Sequence, residues 1–150
     1  MKPGDQITPF TATDQGGQTV TSEQLLQHGP VVLFFYPKAG TSGCTAESCH
    51  FRDLGSEFST AGATRVGISA DGVDAQAAFD EKHGLGYPLL SDPDKTIAKA
   101  FGVKRVGPIY NKRATFVIDQ DGTVLEVIAS ETKMDLHADR ALEVLQARSR

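Results

Sequence analysis

Apolar residues in this chain cluster in short runs separated by glycine, proline and acidic turns, and one run dominates. Val31 to Tyr36 reads VVLFFY, β-branched and aromatic throughout, with no polar alternation. That predicts a strand covered on both faces. Pro37 ends it, a loop of small and polar residues follows over Lys38 to Gly43, and a helical pattern starts at Cys44. Phe51, Leu54 and Phe58 form an i, i+3, i+7 stripe, predicting one helix from Cys44 to about Ser59. Traced backwards, the stripe passes Glu47 and reaches Cys44. The Cys44 side chain is therefore expected to face inward, at the end of the sheet.

The remaining pattern is read around that centre. Phe10 to Thr13 and Gln18 to Thr21 flank Asp14-Gln15-Gly16-Gly17, a predicted hairpin. Thr21 or Ser22 can cap a short helix through Gln27, closed by Gly29-Pro30. Thr64 to Ser69 reads as a strand, Val73 to His83 as a helix, Tyr87 to Leu90 as a short strand, and Thr96 to Phe101 as a helix. Ala114 to Asp119 and Thr123 to Ala129 are strands joined through Gln120-Asp121-Gly122. A closing helix covers His137 to Ala147, with Ala138, Ala141, Leu142 and Leu145 inward. His28, His83 and His137 fall near helix ends and read as surface caps. Phe79, Phe101 and Phe116 read as core, and Asp80-Glu81-Lys82 as a solvated face. Strands alternating with helices, with one late hairpin, predict an α/β protein whose mixed sheet has helices on both faces. A thioredoxin-like fold has this layout.

Composition narrows the classes. The 150 residues fit one domain, residues 1–150, with one substantial core. At 39% hydrophobic and 23% charged, the chain is neither disordered nor membrane-embedded. A net charge of −4 argues against nucleic acid or anionic lipid as the main partner. The first residues, MKPGDQITPF, lack the apolar core of a secretory signal, so the cytoplasm is the expected compartment. There a cysteine pair is more often redox-active, catalytic or metal-binding than a structural staple.

Both cysteines of the chain, Cys44 and Cys49, lie in the central stretch. Cys44 opens a helix, among backbone N–H groups that lack intrahelical partners and at the positive end of the helix dipole, which favours a thiolate nucleophile. Thr41 stands three residues before it in the loop. Arg113 directly precedes an apolar strand, from which a guanidinium can reach the end of the sheet. Cys44, Cys49 and His50 could be imagined as metal ligands. A fourth ligand is missing at any usual spacing, and Cys-x4-Cys on one helix suits a tetrahedral site poorly, so no metal is expected.

The segment PKAGTSGC fits Pro-x-x-x-Thr-x-x-Cys and resembles the active-site signature of peroxiredoxins. The wider FFYPKxxTxGCTxExCxFRD is similar to the Q-type, or bacterioferritin comigratory protein, group. KRATFVID (Lys112 to Asp119) resembles the family's arginine-bearing segment, and GVKRVGPIYNKRATFVIDQDGTV has its general shape. The chain departs from the family at Ser42, where proline usually follows the threonine. Proline there would fix φ, and serine does not.

The resemblance implies a thioredoxin-dependent peroxidase that reduces hydrogen peroxide and organic hydroperoxides for antioxidant defence, with no cofactor. Cys44 is then the attacking thiolate, which becomes a sulfenic acid. Thr41 steers the peroxide, Arg113 stabilises developing charge, and Pro37 shapes the loop. Glu47, inward-facing, needs a partner, and Arg113 is the natural one. Cys49 is the resolving cysteine, forming a disulfide with Cys44 that thioredoxin or a similar dithiol protein reduces. A monomer is expected, with no nucleic-acid or membrane partner. Five residues of ideal helix separate the two Cα atoms by roughly 8–9 Å, beyond disulfide reach, so the bond requires the helix to unwind. Two rivals are a thiol–disulfide oxidoreductase, which usually has Cys-x-x-Cys where this chain has Glu47, and a redox sensor that oxidises without cycling.

Overall fold

The central strand does what its unbroken apolar run demands. In the computed structural model, which describes residues 1–105, 107 and 110–148, β3 (Val31–Phe35) is buried along its whole length. Val31, Leu33 and Phe35 enter one hydrophobic cluster; Val32, Phe34 and the following Tyr36 enter the other. Period-two alternation thus feeds two cores, one on each face of the sheet.

Before β3 come β1 (Thr11–Asp14), β2 (Thr19–Thr21) and α1 (Ser22–Leu26). Thr21 caps α1 in a reciprocal pair with Gln24. After β3 come α2 (Ser42–Asp53), α3 (Gly55–Thr60), β4 (Thr64–Ser69), α4 (Val73–His83), β5 (Leu89–Ser91) and α5 (Thr96–Ala100). The chain then closes with β6 (Ala114–Ile118), β7 (Val124–Ala129) and α6 (Met134–Arg148). The strands form one mixed sheet in the order β2-β1-β5-β4-β3-β6-β7. β3, β4 and β5 run parallel to their neighbours in that block; β6, β7 and the β1–β2 hairpin pair antiparallel. Residues from α2, α3, α4 and α6 fill the cluster on one face, and residues from α1 and α5 the other.

Four expectations need correction. The single helix from Cys44 to Ser59 is two helices, broken at Leu54. The Arg65 guanidinium packs against Gly55, and its Nη1 donates to the carbonyls of Phe51 (2.9 Å) and Arg52 (3.4 Å), groups the helix would otherwise use to continue. The helix also starts two residues earlier, at Ser42. The strand placed at Tyr87–Leu90 lies at Leu89–Ser91, because Pro88 has no N–H for the ladder and the Tyr87 hydroxyl donates to Ser48 O at 2.6 Å. The last helix begins at Met134; its first turn carries exposed Asp135 and Leu136, which give no apolar period to read. His137 is a fourth case, taken up with the site. In the segment from Gly102 to Val124 that has the family's general shape, positions 106, 108 and 109 lie outside the described residues.

Aromatic packing locks α2 to the sheet. Phe51 stacks on Phe34 with centroids 4.1 Å apart and planes 7° from parallel, and Phe58 follows at 5.7 Å. Such pairs add about 0.5–1.5 kcal/mol each beyond their buried area. The start of α2 is thereby held over the C-terminal end of β3, where open α/β sheets place their sites.

Candidate active site

Cys44 is the third residue of α2 and fully buried. First-turn amides have no carbonyl of their own helix to bind, so positive potential gathers here. Two donors point at the sulfur. Arg113 Nη2 lies 3.3 Å from Sγ, and the backbone N–H of Lys38 lies 3.5 Å from it.

Strand register explains how Arg113 arrives. β6 runs antiparallel to β3 and pairs Ala114 with Phe35, so residue 113 lies level with the end of β3. Alternation points its side chain to the same face as Thr115 and Val117, the face that α2 covers. β7 returns antiparallel to β6 and delivers Glu131, whose Oε2 accepts the Arg113 backbone N–H at 2.9 Å.

The inward carboxylate finds the partner anticipated for it. Arg113 Nη1 donates to Glu47 Oε1 at 2.8 Å, with both side chains almost wholly buried. One guanidinium therefore bridges the Cys44 sulfur and the Glu47 carboxyl. Burial pulls the arginine's pKa down, but Glu47 and Cys44 beside it more than offset this and raise it. Burial pushes the Glu47 carboxyl up to about 8, against the pull of Arg113. Its Oε2 has no hydrogen-bond partner among the described residues and faces His137 Nδ1 at 3.5 Å.

His137 is not a surface cap. It is fully buried, with Nδ1 2.8 Å from Thr115 Oγ1 and Nε2 2.8 Å from the Ser130 carbonyl. A carbonyl only accepts, so Nε2 carries the proton and Nδ1 accepts from the threonine hydroxyl. Burial lowers its pKa, in keeping with a neutral ring. The signal was available: Ala141 and Leu145 set a four-residue step on α6, and one step back is His137.

Thr41 stands at the N-cap of α2 without making a side-chain cap. Its hydroxyl donates instead to Lys38 O at 2.8 Å, which leaves the oxygen's lone pairs free to accept. Pro37 is half-buried at the turn out of β3, and Gly40 takes a left-handed φ of 84° within the loop. Cys49 is partly buried on α2 beyond Glu47, and both cysteines are free thiols. His50 turns away to Asp139 on α6 at 2.7 Å.

Known proteins share this arrangement's frame. The AhpC/TSA family model matches residues 3–127. The chain is a peroxiredoxin. It is similar to the crystal structure of peroxidoxin BcpB from Mycobacterium tuberculosis, with a TM-score of 0.96 and 54% identity, covering 98% of this chain and 97% of that one. A Xanthomonas campestris peroxiredoxin Q structure superposes with a TM-score of 0.87 at 33% identity, covering 94% and 92%. A chloroplastic peroxiredoxin Q of Sedum lineare is 38% identical over 146 residues, 96% of this chain and 77% of that one. The peroxiredoxin is therefore a thiol-dependent peroxidase on a thioredoxin-like fold. Among the described residues of this peroxiredoxin, no helix is long and apolar enough to cross a membrane.

Proposed function

We propose that Cys44 is the peroxide-attacking thiolate of this peroxidase and Cys49 its resolving thiol. The observation that carries the reading is the Arg113 guanidinium, 3.3 Å from the Cys44 sulfur at the first turn of α2. A fixed positive charge and a backbone N–H there meet the sulfur directly and counter the charge that develops along the O–O bond.

In the attack, a lone pair of the Cys44 sulfur forms an S–O bond to one peroxide oxygen while the O–O bond breaks. Cys44 becomes a sulfenic acid, and the leaving oxygen takes a proton and departs as water or an alcohol. Thr41 accepts from the peroxide O–H, because its own proton is committed to Lys38 O. Glu47 holds the far side of the guanidinium and so sets its orientation. The Cys49 thiolate then attacks the sulfenic sulfur, hydroxide leaves as water, and a Cys44–Cys49 disulfide remains. A dithiol protein of the thioredoxin type returns both thiols by exchange. Both cysteines lie on one helix, so the cycle closes within a single chain and a monomer is the working unit. The cytoplasm, where dithiol reductants keep thiols reduced, is the proposed setting. Hydrogen peroxide and organic hydroperoxides are the proposed substrates, with neither nucleic acid nor membrane as partner.

The test is peroxide turnover coupled to a thioredoxin system. Cys44→Ser should abolish it, since a serine hydroxyl is not ionised near neutral pH. Cys49→Ser should consume one equivalent of peroxide and stall at the sulfenic acid, open to overoxidation. Substantial turnover by Cys44→Ser would remove that residue from its role. A parent protein that oxidises once and does not cycle would be a sensor.

A further inference from the structure

Asp71 lies in the turn between β4 and α4, outside the side chains that surround the sulfur. Its Oδ2 accepts from the Ala39 backbone N–H at 2.8 Å and from Ser69 Oγ at 2.6 Å. Ser69 is fully buried, and its oxygen accepts in turn from the Asp71 N–H (3.2 Å) and from Gln76 Nε2 (3.0 Å). Gln76 is also buried; it donates to Leu90 O at 2.8 Å and accepts from the Tyr36 hydroxyl. A chain of buried donors thus ties the carboxylate to Tyr36 just past β3, to β5 and to α4.

The other end of this tie is the loop that carries the peroxide site. Successive amides of that loop diverge: Lys38 N–H points at Cys44 Sγ, and Ala39 N–H points at Asp71. Only the φ and ψ of Lys38 separate the two planar amides, so holding the second orients the first. Among the described residues, Thr41 Oγ1 bonds Lys38 O within the loop, Ala39 packs against the core on that face of the sheet, and Lys38 Nζ lies 5.8 Å from the Tyr110 ring centre; Asp71 is the side chain outside α2 that accepts from a loop amide. Lys38, Gly40, Thr41 and Ser42 are exposed, and a cleft of about 280 Å³ lies between Ala39–Gly40 and α4 residues Ala75, Ala78 and Phe79. Residue 42, where a proline would stiffen the chain, is serine.

We propose that Asp71 is a positioning residue for the peroxidase reaction, a carboxylate latch that holds the Pro37–Thr41 loop closed over Cys44 and whose release accompanies opening of α2 for the disulfide. The proposal rests on the roles given above to Cys44 and Cys49. The latch acts through geometry, since a negative charge near a thiolate opposes it. Loss of the charge alone would speed attack, whereas loss of the latch slows it.

The experiment compares Asp71→Ala and Asp71→Asn with the parent by rapid mixing with stoichiometric peroxide. Cys44 oxidation is read in a Cys49→Ser background, and disulfide closure is read with Cys49 intact. Losing hydrogen bonds to a charged group should slow Cys44 oxidation in Asp71→Ala by roughly ten- to a hundredfold, and should accelerate disulfide closure. Asp71→Asn keeps an acceptor oxygen and should recover most of the oxidation rate. Amide exchange should quicken at Lys38 and Ala39 while β3 and α6 stay protected. Oxidation as fast as or faster than the parent in Asp71→Ala, or both steps slowed together, would overturn the latch. Failure of the underlying roles would appear in the parent itself, as no oxidation of Cys44, and would take the latch with it.

Discussion

Glu47→Gln tests the buried charge arrangement through the pH dependence of stability. The native carboxyl is raised from 4.5 to about 8, chiefly by burial. In the unfolded chain it ionises near its ordinary value. Between about pH 4.5 and 8 the native state therefore holds close to one proton more than the unfolded state, and stability falls as pH rises. This contribution is full below about pH 4.5 and gone above about pH 8. One proton corresponds to about 1.4 kcal/mol per pH unit, so the loss between pH 5 and 7 is roughly 2–3 kcal/mol. Glutamine has the same shape and no such proton. His137 enters with the opposite sign: it is held neutral below its ordinary 6.5, so its contribution is present above that value and lost as pH falls. It remains in both proteins and largely cancels from their difference. The assay is urea unfolding of the reduced parent and Glu47→Gln at half-unit steps from pH 5 to 8. The variant should gain on the parent by roughly 2–3 kcal/mol from pH 5 to 7. Parallel profiles would mean that Glu47 is ionised in the native state throughout, held so by Arg113, and would refute the reasoning.

Two further outcomes follow from the same geometry. Arg113→Ala should slow single-turnover oxidation of Cys44 by on the order of 10²–10³; its stability cost should be smaller than a broken buried ion pair implies, because Glu47 can take a proton. An unchanged oxidation rate would leave Arg113 with a structural role only. The reduced protein should show slow amide exchange in the first turns of α2 and the disulfide form fast exchange there, while Phe51 to Phe58, stacked on Phe34, should change less. Equal exchange in both redox forms would argue against an unwinding step.

Much of the site was legible in one dimension because local rules set it. A short unbroken apolar run that is β-branched and aromatic and is stopped by proline predicts a strand covered on both faces, and β3 is one. A stripe from Phe51 and Phe58 can be extended backwards, and it brought Cys44 and Glu47 inward, where both are buried. Residue motifs carried the family because they record the chemistry directly. What needed tertiary structure was every contact between segments far apart in the chain. Sheet order made the start of β6 the neighbour of the end of β3, which turned Arg113 from a residue before a strand into the bridge between Cys44 and Glu47. In the helix pattern from Cys44 to Ser59 the one sign of the break at Leu54 was Gly55, which a helix can also tolerate; the group that decides it by competing for the carbonyls, Arg65, comes from β4. His137 lay on a readable stripe, but only the sheet beneath α6 supplied Thr115 and brought Glu47 within reach. Asp71 lies between two elements the pattern predicts, but its bond to Ala39 crosses 32 positions and exists only once β3 and β4 lie side by side. Periodicity reports which way a side chain faces, and only packing decides what it meets there.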